Sequence, residues 1–214
     1  MGQKISHSDV QAAGSWTIRE YLREINIRLR GLSDAVNYNS DDAWDDLRFA
    51  ASGINPAGST APPTPDTVYG GLLFRGVTGN DIIAFQVQMP HAWKEGSAIS
   101  PHVHWQKTTS ASGNVRWSLS YRHAVLGAVM DSAWTVLPAS TPLQTDSNTA
   151  GQHLMTPLGT IDMSGKLISH MMLCLLERTP LHADDNYGAD ARLLEIDFHY
   201  QIDSRGSRQQ YLKT

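Results

Sequence analysis

The sequence predicts a mainly β protein, an eight-stranded antiparallel jelly-roll sandwich preceded by an N-terminal α-helix and an extended arm. Three observations predict this fold class. Apolar residues recur at heptad spacing between Ile18 and Val36, a Pro-rich segment follows, and from Thr67 onward apolar and polar residues alternate. A hydrophobic period that changes from about 3.5 to 2 residues marks the passage from helix to strands.

Composition limits the classes of function. The chain has 214 residues, 41% of them hydrophobic, which is enough for a core without a metal or a disulfide. Its net charge of -4, with scattered Lys and Arg, predicts no nucleic-acid partner. No stretch approaches the ~18 apolar residues of a membrane helix, so we expect a soluble protein with no membrane partner. No cofactor is expected, and Cys174 alone cannot form an intramolecular disulfide.

Residues 1–36 form the first region, an arm and a helix for oligomerisation or attachment. Thr17 and Glu20 make a capping box at the helix start, and Gly31 indicates a stop. Leu at heptad position a with Ile at d favours three or four helices, so we expect a homo-oligomer, most simply a trimer. The alternative, that the stripe packs on the chain's own β domain, stays open. The candidate oligomerisation residues are Ile18, Leu22, Ile25 and Leu29, and the seam continues to Leu32 and Val36.

Residues 37–66 read as an extended linker, because four prolines between 56 and 65 cannot continue regular structure. Trp44 and Phe49 are too apolar for a free linker. We expect these two aromatics to dock on a neighbouring surface, such as that of another subunit.

Residues 67–214 form the β jelly-roll domain. Turn signals such as Gly79-Asn80 and Ser164-Gly165 separate the strands, and eight strands of this length suit a two-sheet jelly roll. An immunoglobulin-like sandwich is the second choice, weakened by the absence of a cysteine pair. The predicted strands are Thr67–Arg75, Asp81–Met89, Ile99–Thr108, Asn114–Leu126, Ala133–Leu137, His153–Leu158, Leu167–Glu177 and Ala191–Asp203.

Alternation predicts which side chains face the core. In the last strand one face carries Arg192, Leu194, Ile196, Phe198, Tyr200 and Ile202, which we assign to the core. In the strand from Asn114, the same reasoning places His123 on the buried side, as a hydrogen-bonded core residue.

The sharpest chemical signal is His102-Val103-His104. Two imidazoles at i and i+2 share one face of a strand and can share a metal ion, and the segment from Gly96 resembles the first metal motif of cupins. The glutamate that follows in that motif is missing. If Val103 fills the core, His102 and His104 point outward, where a neighbouring strand could add His199, Glu195 and Asp197. The candidate metal ligands are His102 and His104, with His199 as a third. The whole polar patch could bind an ion or pair with another subunit, and the alternative is an ordinary solvated face.

Two loops offer weaker signals. Trp93 lies in a loop and either packs over the end of the sandwich or binds sugar. The loop 184–190 lacks the spacing of a calcium-binding EF-hand and is most simply a polar turn.

Several segments resemble a poorly characterised family encoded in tailed-bacteriophage genomes. They are Met89–Gly96, Pro101–Trp105, Tyr187–Leu194, Asp197–Tyr200 and the closing Gly206–Gln209, and the likeness spans Trp44 to the C-terminus. The resemblance implies a non-catalytic component of the virion: a decoration, a collar or neck spike, or a tail or fibre attachment protein. Its expected partners are copies of itself and other virion proteins of the capsid, portal, neck or tail. The alternatives are a cupin-like metal enzyme using His102 and His104, and a carbohydrate-binding head.

Overall fold

The structure is a computed structural model that describes residues 18–36, 43–54, 56, 62–138 and 148–213. The chain divides into two compact units, Met1–Ser40 and Asp41–Thr214, and each is described by itself. The predicted arm and Thr17 of the predicted capping box lie outside the described residues.

The first unit contributes helix α1, Ile18–Val36, which confirms the predicted helix. Gly31 does not end it, since one glycine costs a helix only about 1 kcal/mol relative to alanine. The seam is exposed, with Ile18 at 81%, Leu22 at 59%, Ile25 at 37% and Leu29 at 58%. The side chains of Leu32 and Val36 lie outside the described set. No helix among the described residues is both long and apolar enough to cross a bilayer.

The second unit is a sandwich of two antiparallel sheets. Sheet A has the order β2-β3-β10-β5-β8 with β1 also paired to β10, and sheet B has the order β4-β9-β6-β7. The strands are β1 (Ala43–Ala50), β2 (Thr64–Pro65), β3 (Leu72–Phe74), β4 (Asp81–Gln88), β5 (Ile99–Lys107), β6 (Trp117–Ala124), β7 (Thr135–Leu137), β8 (Leu154–Pro157), β9 (Met171–Arg178) and β10 (Ala191–Ile202).

The strand order confirms the predicted jelly roll. Strands β3 to β10 are arranged as 3-10-5-8 opposite 4-9-6-7, which is the arrangement of an eight-stranded jelly roll. Each of the eight predicted strands overlaps one of these. Strand β9, apolar on both faces, lies at the centre of sheet B between β4 and β6, one of the positions that its composition predicts.

The two sheets enclose an aromatic core. Phe74 packs against Trp117 at 4.9 Å between ring centroids, and Trp105 lies 6.1 Å from Trp117. Offset and edge-on aromatic contacts of this kind stabilise a core beyond the area they bury. Trp93, for which the sequence left open packing or sugar binding, is fully buried and donates its indole N–H to the Ser97 carbonyl at 3.2 Å. It therefore packs in the core.

The linker prediction is wrong for residues 43–50. They form β1, which pairs with β10 from Ala43↔Ile202 to Ala50↔Glu195. Phe49 docks on its own sandwich, 5.3 Å from the Phe85 ring and 5.9 Å from the Phe198 ring, whereas Trp44 stays 55% exposed. The β unit thus begins near Asp41, ahead of the predicted boundary at residue 67.

The predicted facing of β10 is wrong at its start. A β-bulge between Leu193 and Glu195 shifts the register, so Leu193 lies in the core together with Ile196 and Phe198. A bulge adds one residue to a strand and inverts the alternation beyond it. Arg192 consequently leaves the core face and pairs with Asp66, at 2.5 Å between Nε and Oδ2.

Candidate functional site

A compact group of imidazoles and carboxylates lies on the outer face of sheet A, the face opposite the core. Strand β5 supplies His102 and His104, because Val103 and Trp105 between and beyond them are fully buried in the core. We call the group the His–Asp cluster. It consists of His102, His104, His153, Asp197, His199 and Asp46.

Strand pairing brings these residues together. In the ladder between β5 and β10, His102 lies opposite Asp197 and His104 lies opposite Glu195. On the other side of β10, Asp46 of β1 lies opposite His199. The β10 bulge is essential to this arrangement, since it places Asp197 on the outer face even though Leu193, an even number of residues away, faces the core.

Asp197 is the centre of the cluster and is only 3% exposed. Its Oδ1 lies 2.5 Å from His102 Nε2, and its Oδ2 lies 3.3 Å from His104 Nε2. The first contact lacks hydrogen-bond geometry, so Oδ1 is a buried carboxylate oxygen with no hydrogen bond. Burying a charged oxygen costs free energy of desolvation, and no hydrogen bond offsets that cost at Oδ1.

The other members surround this centre. His104 Nδ1 lies 2.7 Å from His153 Nε2, and His199 Nε2 lies 3.0 Å from Asp46 Oδ1. The His102 and His199 rings are 4.2 Å apart, and the His102 and His104 rings are 4.8 Å apart. Edge-on ring contacts and polar contacts thus hold four imidazoles around one carboxylate.

Burial sets the electrostatics of the cluster. It lowers the pKa of His102, and the neighbouring His199 and His104 lower that pKa further. Burial also raises the pKa of Asp197, a rise that His104 opposes and that Asp46 and Glu195 reinforce. Desolvation therefore disfavours the charged form of both groups, and His102 is favoured without positive charge.

A groove of about 410 Å³ opens the cluster to solvent. Along its wall Arg48 forms a bidentate pair with Glu195, with Nε to Oε1 at 2.8 Å and Nη2 to Oε2 at 3.0 Å. The groove is lined by Asp46, Arg48, His104, His153, Leu194, Glu195 and Asp197.

The structure brings together most of the residues that the sequence nominates for this face. His102, His104, His199, Glu195 and Asp197 lie on the outer face of sheet A, turned away from the barrel interior in which a cupin metal would sit. The oligomerisation residues lie in the other unit. Trp44 lies on β1, whose outer face carries Asp46 and Arg48.

Two members of the cluster escaped sequence reasoning. Asp46 was assigned to a linker, so no strand placed it beside β10. His153 comes just before β8. It lies beside His104 because β5 and β8 pair with His104 opposite Met155, a register that the sequence does not indicate. The signal for Asp46 was the alternation of Leu47 and Phe49, both of which pack against the core.

Comparison with known proteins gives no family assignment, since neither a family model nor a curated protein matches the sequence. Among solved structures, an isomalto-dextranase of Arthrobacter globiformis T6 complexed with panose is 15% identical, with a TM-score of 0.41 over 72% of this chain and 23% of that chain. A family 35 carbohydrate-binding module of Clostridium thermocellum is 9% identical, with a TM-score of 0.37 over 71% of this chain and 97% of that chain. An infectious bursal disease virus structure, Gx strain, is 9% identical, with a TM-score of 0.36 over 77% of this chain and 34% of that chain.

The chain spans about a quarter of the isomalto-dextranase and of a Podospora anserina mannanase that it also matches, at 23% and 28% of their lengths. With all of these TM-scores below 0.5, the jelly-roll assignment rests on the strand order.

Proposed function

We propose that the chain is a self-assembling structural protein of a tailed-phage virion, in which α1 joins copies of the chain and the jelly roll is a projecting head without catalytic activity. The observation that carries the proposal is the apolar seam of α1. The sequence resemblance to a phage-encoded family supports a place in a virion, and the seam supports assembly through α1.

The seam fits further copies of the same helix. Its residues repeat at spacings of 4 and 3, so they stay on one side of a supercoiled helix. Ile25 and Leu29 leave large apolar areas exposed in α1. A helix of 19 residues has little stability of its own in water, so burial of this seam against other copies would supply it. Leu22 and Leu29 at a with Ile25 at d favour three or four helices over two.

Two of the isoleucines of α1 provide a matched test. Ile25 lies on the seam, and Ile27 lies at heptad position f on the opposite side, where it is 55% exposed. We expect Ile25→Asp to lower the particle mass measured by light scattering from about three chain masses toward one. We expect Ile27→Asp, with the same change of charge, to leave the mass unchanged.

The β circular-dichroism signal serves as the folding control in both variants, and Leu22→Asp combined with Ile25→Asp should complete the dissociation. A wild-type chain that is monomeric at micromolar concentration, or an equal mass for both single variants, would sink the proposal.

The second candidate is a carbohydrate-binding head, favoured by the groove on sheet A. The groove is lined by the bidentate pair of Arg48 and Glu195, and the exposed indole of Trp44 lies on the same strand, two residues from the groove-lining Asp46. An apolar ring beside a few oriented polar groups is the usual composition of a small-molecule site. A glycan array with wild type and Trp44→Ala tests it: a hit lost in the variant supports this function, and an array without hits contradicts it.

A further inference from the structure

We propose that His102 Nε2, His104 Nε2 and the Asp197 carboxylate bind a divalent transition-metal ion of the zinc class on the outer face of sheet A. The three side chains each offer one ligand atom, and these atoms lie within 4.8 Å of one another. Two imidazoles and one carboxylate form a donor set that suits Zn²⁺ and related ions. The site lies wholly within the jelly-roll unit, so it does not depend on assembly through α1.

The distances agree with a site that closes on an ion. Ligands about 2.0 to 2.2 Å from tetrahedral zinc lie roughly 3.4 Å from each other. The 3.3 Å between His104 Nε2 and Asp197 Oδ2 already has this value. The 2.5 Å between His102 Nε2 and Asp197 Oδ1 must widen by about 1 Å, a small rotation of either side chain.

The unpartnered oxygen of Asp197 is an independent indication. Asp197 and His102 are 3% and 5% exposed, although they lie on the face of the sheet that points away from the core. Oδ1 receives no hydrogen bond there. A metal ion would supply the positive charge that this buried carboxylate lacks.

His153 holds His104 in the orientation that metal binding needs. When His104 Nδ1 donates its proton to His153 Nε2, at 2.7 Å, the lone pair of His104 Nε2 faces Asp197. Metal-bound histidines commonly use their second nitrogen in this way. His199 is a supporting residue: its Nε2 is engaged by Asp46, and its ring packs against His102.

The groove gives an ion a route to the ligands, since His104, His153 and Asp197 all line it. A bound ion would link β5 to β10 directly through its ligands. It would also be connected to the start of β8, because His104 contacts His153. Binding to the folded state alone raises the unfolding temperature. The expected consequence is a jelly roll stabilised by zinc.

The test uses the full chain without a histidine tag, stripped with a chelator and titrated with Zn²⁺ alone. We expect one Zn²⁺ per chain by elemental analysis and a rise in Tm of at least about 5 °C at saturation. Co²⁺ in place of Zn²⁺ should give visible absorption bands of a site with nitrogen and oxygen ligands. A chain that takes up no Zn²⁺ overturns the proposal.

Variants locate the ion. His104→Gln should abolish stoichiometric binding, and His153→Gln should weaken it about 10-fold to 100-fold. His182→Gln is the matched control, because His182 lies beside Asp184 at 3.3 Å and outside the cluster, and it should bind Zn²⁺ like wild type. Equal losses in His182→Gln and His104→Gln, or full binding by His104→Gln, would contradict the site.

Asp197→Asn separates a metal role from a structural one. The amide keeps the shape of the carboxylate and removes a buried charge, so the metal-free variant should melt at or above the wild-type temperature while the Zn²⁺-dependent rise disappears. If metal-free Asp197→Asn is destabilised and retains the rise with Zn²⁺, Asp197 is a structural residue and the proposal fails.

Discussion

At the scale of single residues, several buried polar side chains of the jelly roll pair with each other instead of with water. His170 is one of them: it is 3% exposed, its Nε2 lies 2.8 Å from His123 Nδ1, and its Nδ1 has no hydrogen bond. Burial, together with the nearby His123 and Lys166 and against a smaller opposing effect of Asp131, lowers the pKa of His170 to about 4. His170 is therefore neutral in the folded protein at neutral pH.

This histidine should make the protein sensitive to mild acid. An unfolded histidine has a pKa near 6.5, so below that pH the unfolded chain binds a proton that the folded chain does not. The stability from neutral His170 is complete above about pH 6.5 and is lost as the pH falls toward about 4. Between pH 7.5 and pH 5 this one group should cost about 2 kcal/mol of the free energy of unfolding, measured in urea.

The variant His170→Gln should lose that part of the pH dependence, and His182→Gln, at an exposed histidine, should keep it. The same slope in His170→Gln and in wild type would assign the acid sensitivity to other groups.

A second buried pair closes one end of the sandwich. Arg178 is fully buried and forms two hydrogen bonds with Asp185, both at 2.9 Å. Its guanidinium also donates to the carbonyls of Phe74, Ala189 and Tyr187 at 3.1, 2.8 and 2.5 Å. Asp185 lies in the loop that the sequence suggested was a simple polar turn, and Arg178 ties that loop to the core.

Removing the arginine should be severe. Arg178→Met removes the guanidinium from the buried Asp185 charge, which keeps the Arg116 backbone N–H as a donor, and from three carbonyls. We therefore expect a loss of about 3 to 5 kcal/mol in the free energy of unfolding. Arg178→Met combined with Asp185→Leu should recover part of the loss, because no buried charge remains. Asp184→Asn, at the neighbouring exposed carboxylate, should change stability little. A cost of less than about 1 kcal/mol for Arg178→Met would contradict this account.

At the scale of elements, the sequence predicts where strands form more readily than which strands pair. The alternation in Asp81–Gln88 identifies β4, because Ile83, Phe85 and Val87, at every second position, lie in the core. It could not identify β1, since Asp45 and Asp46 are poor strand formers and the following prolines suggested a linker. Such charges suit β1 because, among the described strands, it pairs with β10 alone, and charged side chains protect an edge strand from aggregation.

The bulge in β10 shows a second limit of sequence reasoning. Strict alternation placed Leu193 on the polar face, but the shift between Leu193 and Glu195 returns it to the core. Nothing in the residue types marks the extra residue. The facing of His102 and His104 was predictable because β5 alternates without interruption, and the full cluster was not, because it needs the register of four strands.

The contribution of β1 to the free energy of unfolding can be measured. Phe49→Ala removes a ring that packs on Phe85 and Phe198, so we expect a loss of about 3 kcal/mol in the free energy of unfolding. Trp44→Ala, on the same strand but exposed, should cost less than about 1 kcal/mol. If both variants lost the same small free energy of unfolding, residues 43–50 would be a linker that does not stabilise the fold.

At the scale of the whole molecule, the chain combines a short helix with a jelly roll that has a complete core of its own. Every member of the buried apolar cluster lies between Ala51 and Tyr200, and the residues packed against it begin at Leu47. The His–Asp cluster, from Asp46 to His199, lies in the same unit. The seam of α1, through which we propose that copies assemble, and the His–Asp cluster therefore lie in different parts of the sequence.

This separation predicts what a truncated chain will do. A fragment of residues 41–214 retains β1 and the entire core cluster, so it should give the β circular-dichroism signal of the full chain and a Tm within about 5 °C of it. Because it lacks the seam of α1, light scattering should give the mass of a single fragment, and Zn²⁺ should still raise its Tm. A fragment that unfolds would contradict the independence of the jelly roll. A folded fragment that retains the oligomeric state of the full chain would place the contacts between copies on the sandwich, because the seam is then not required for them.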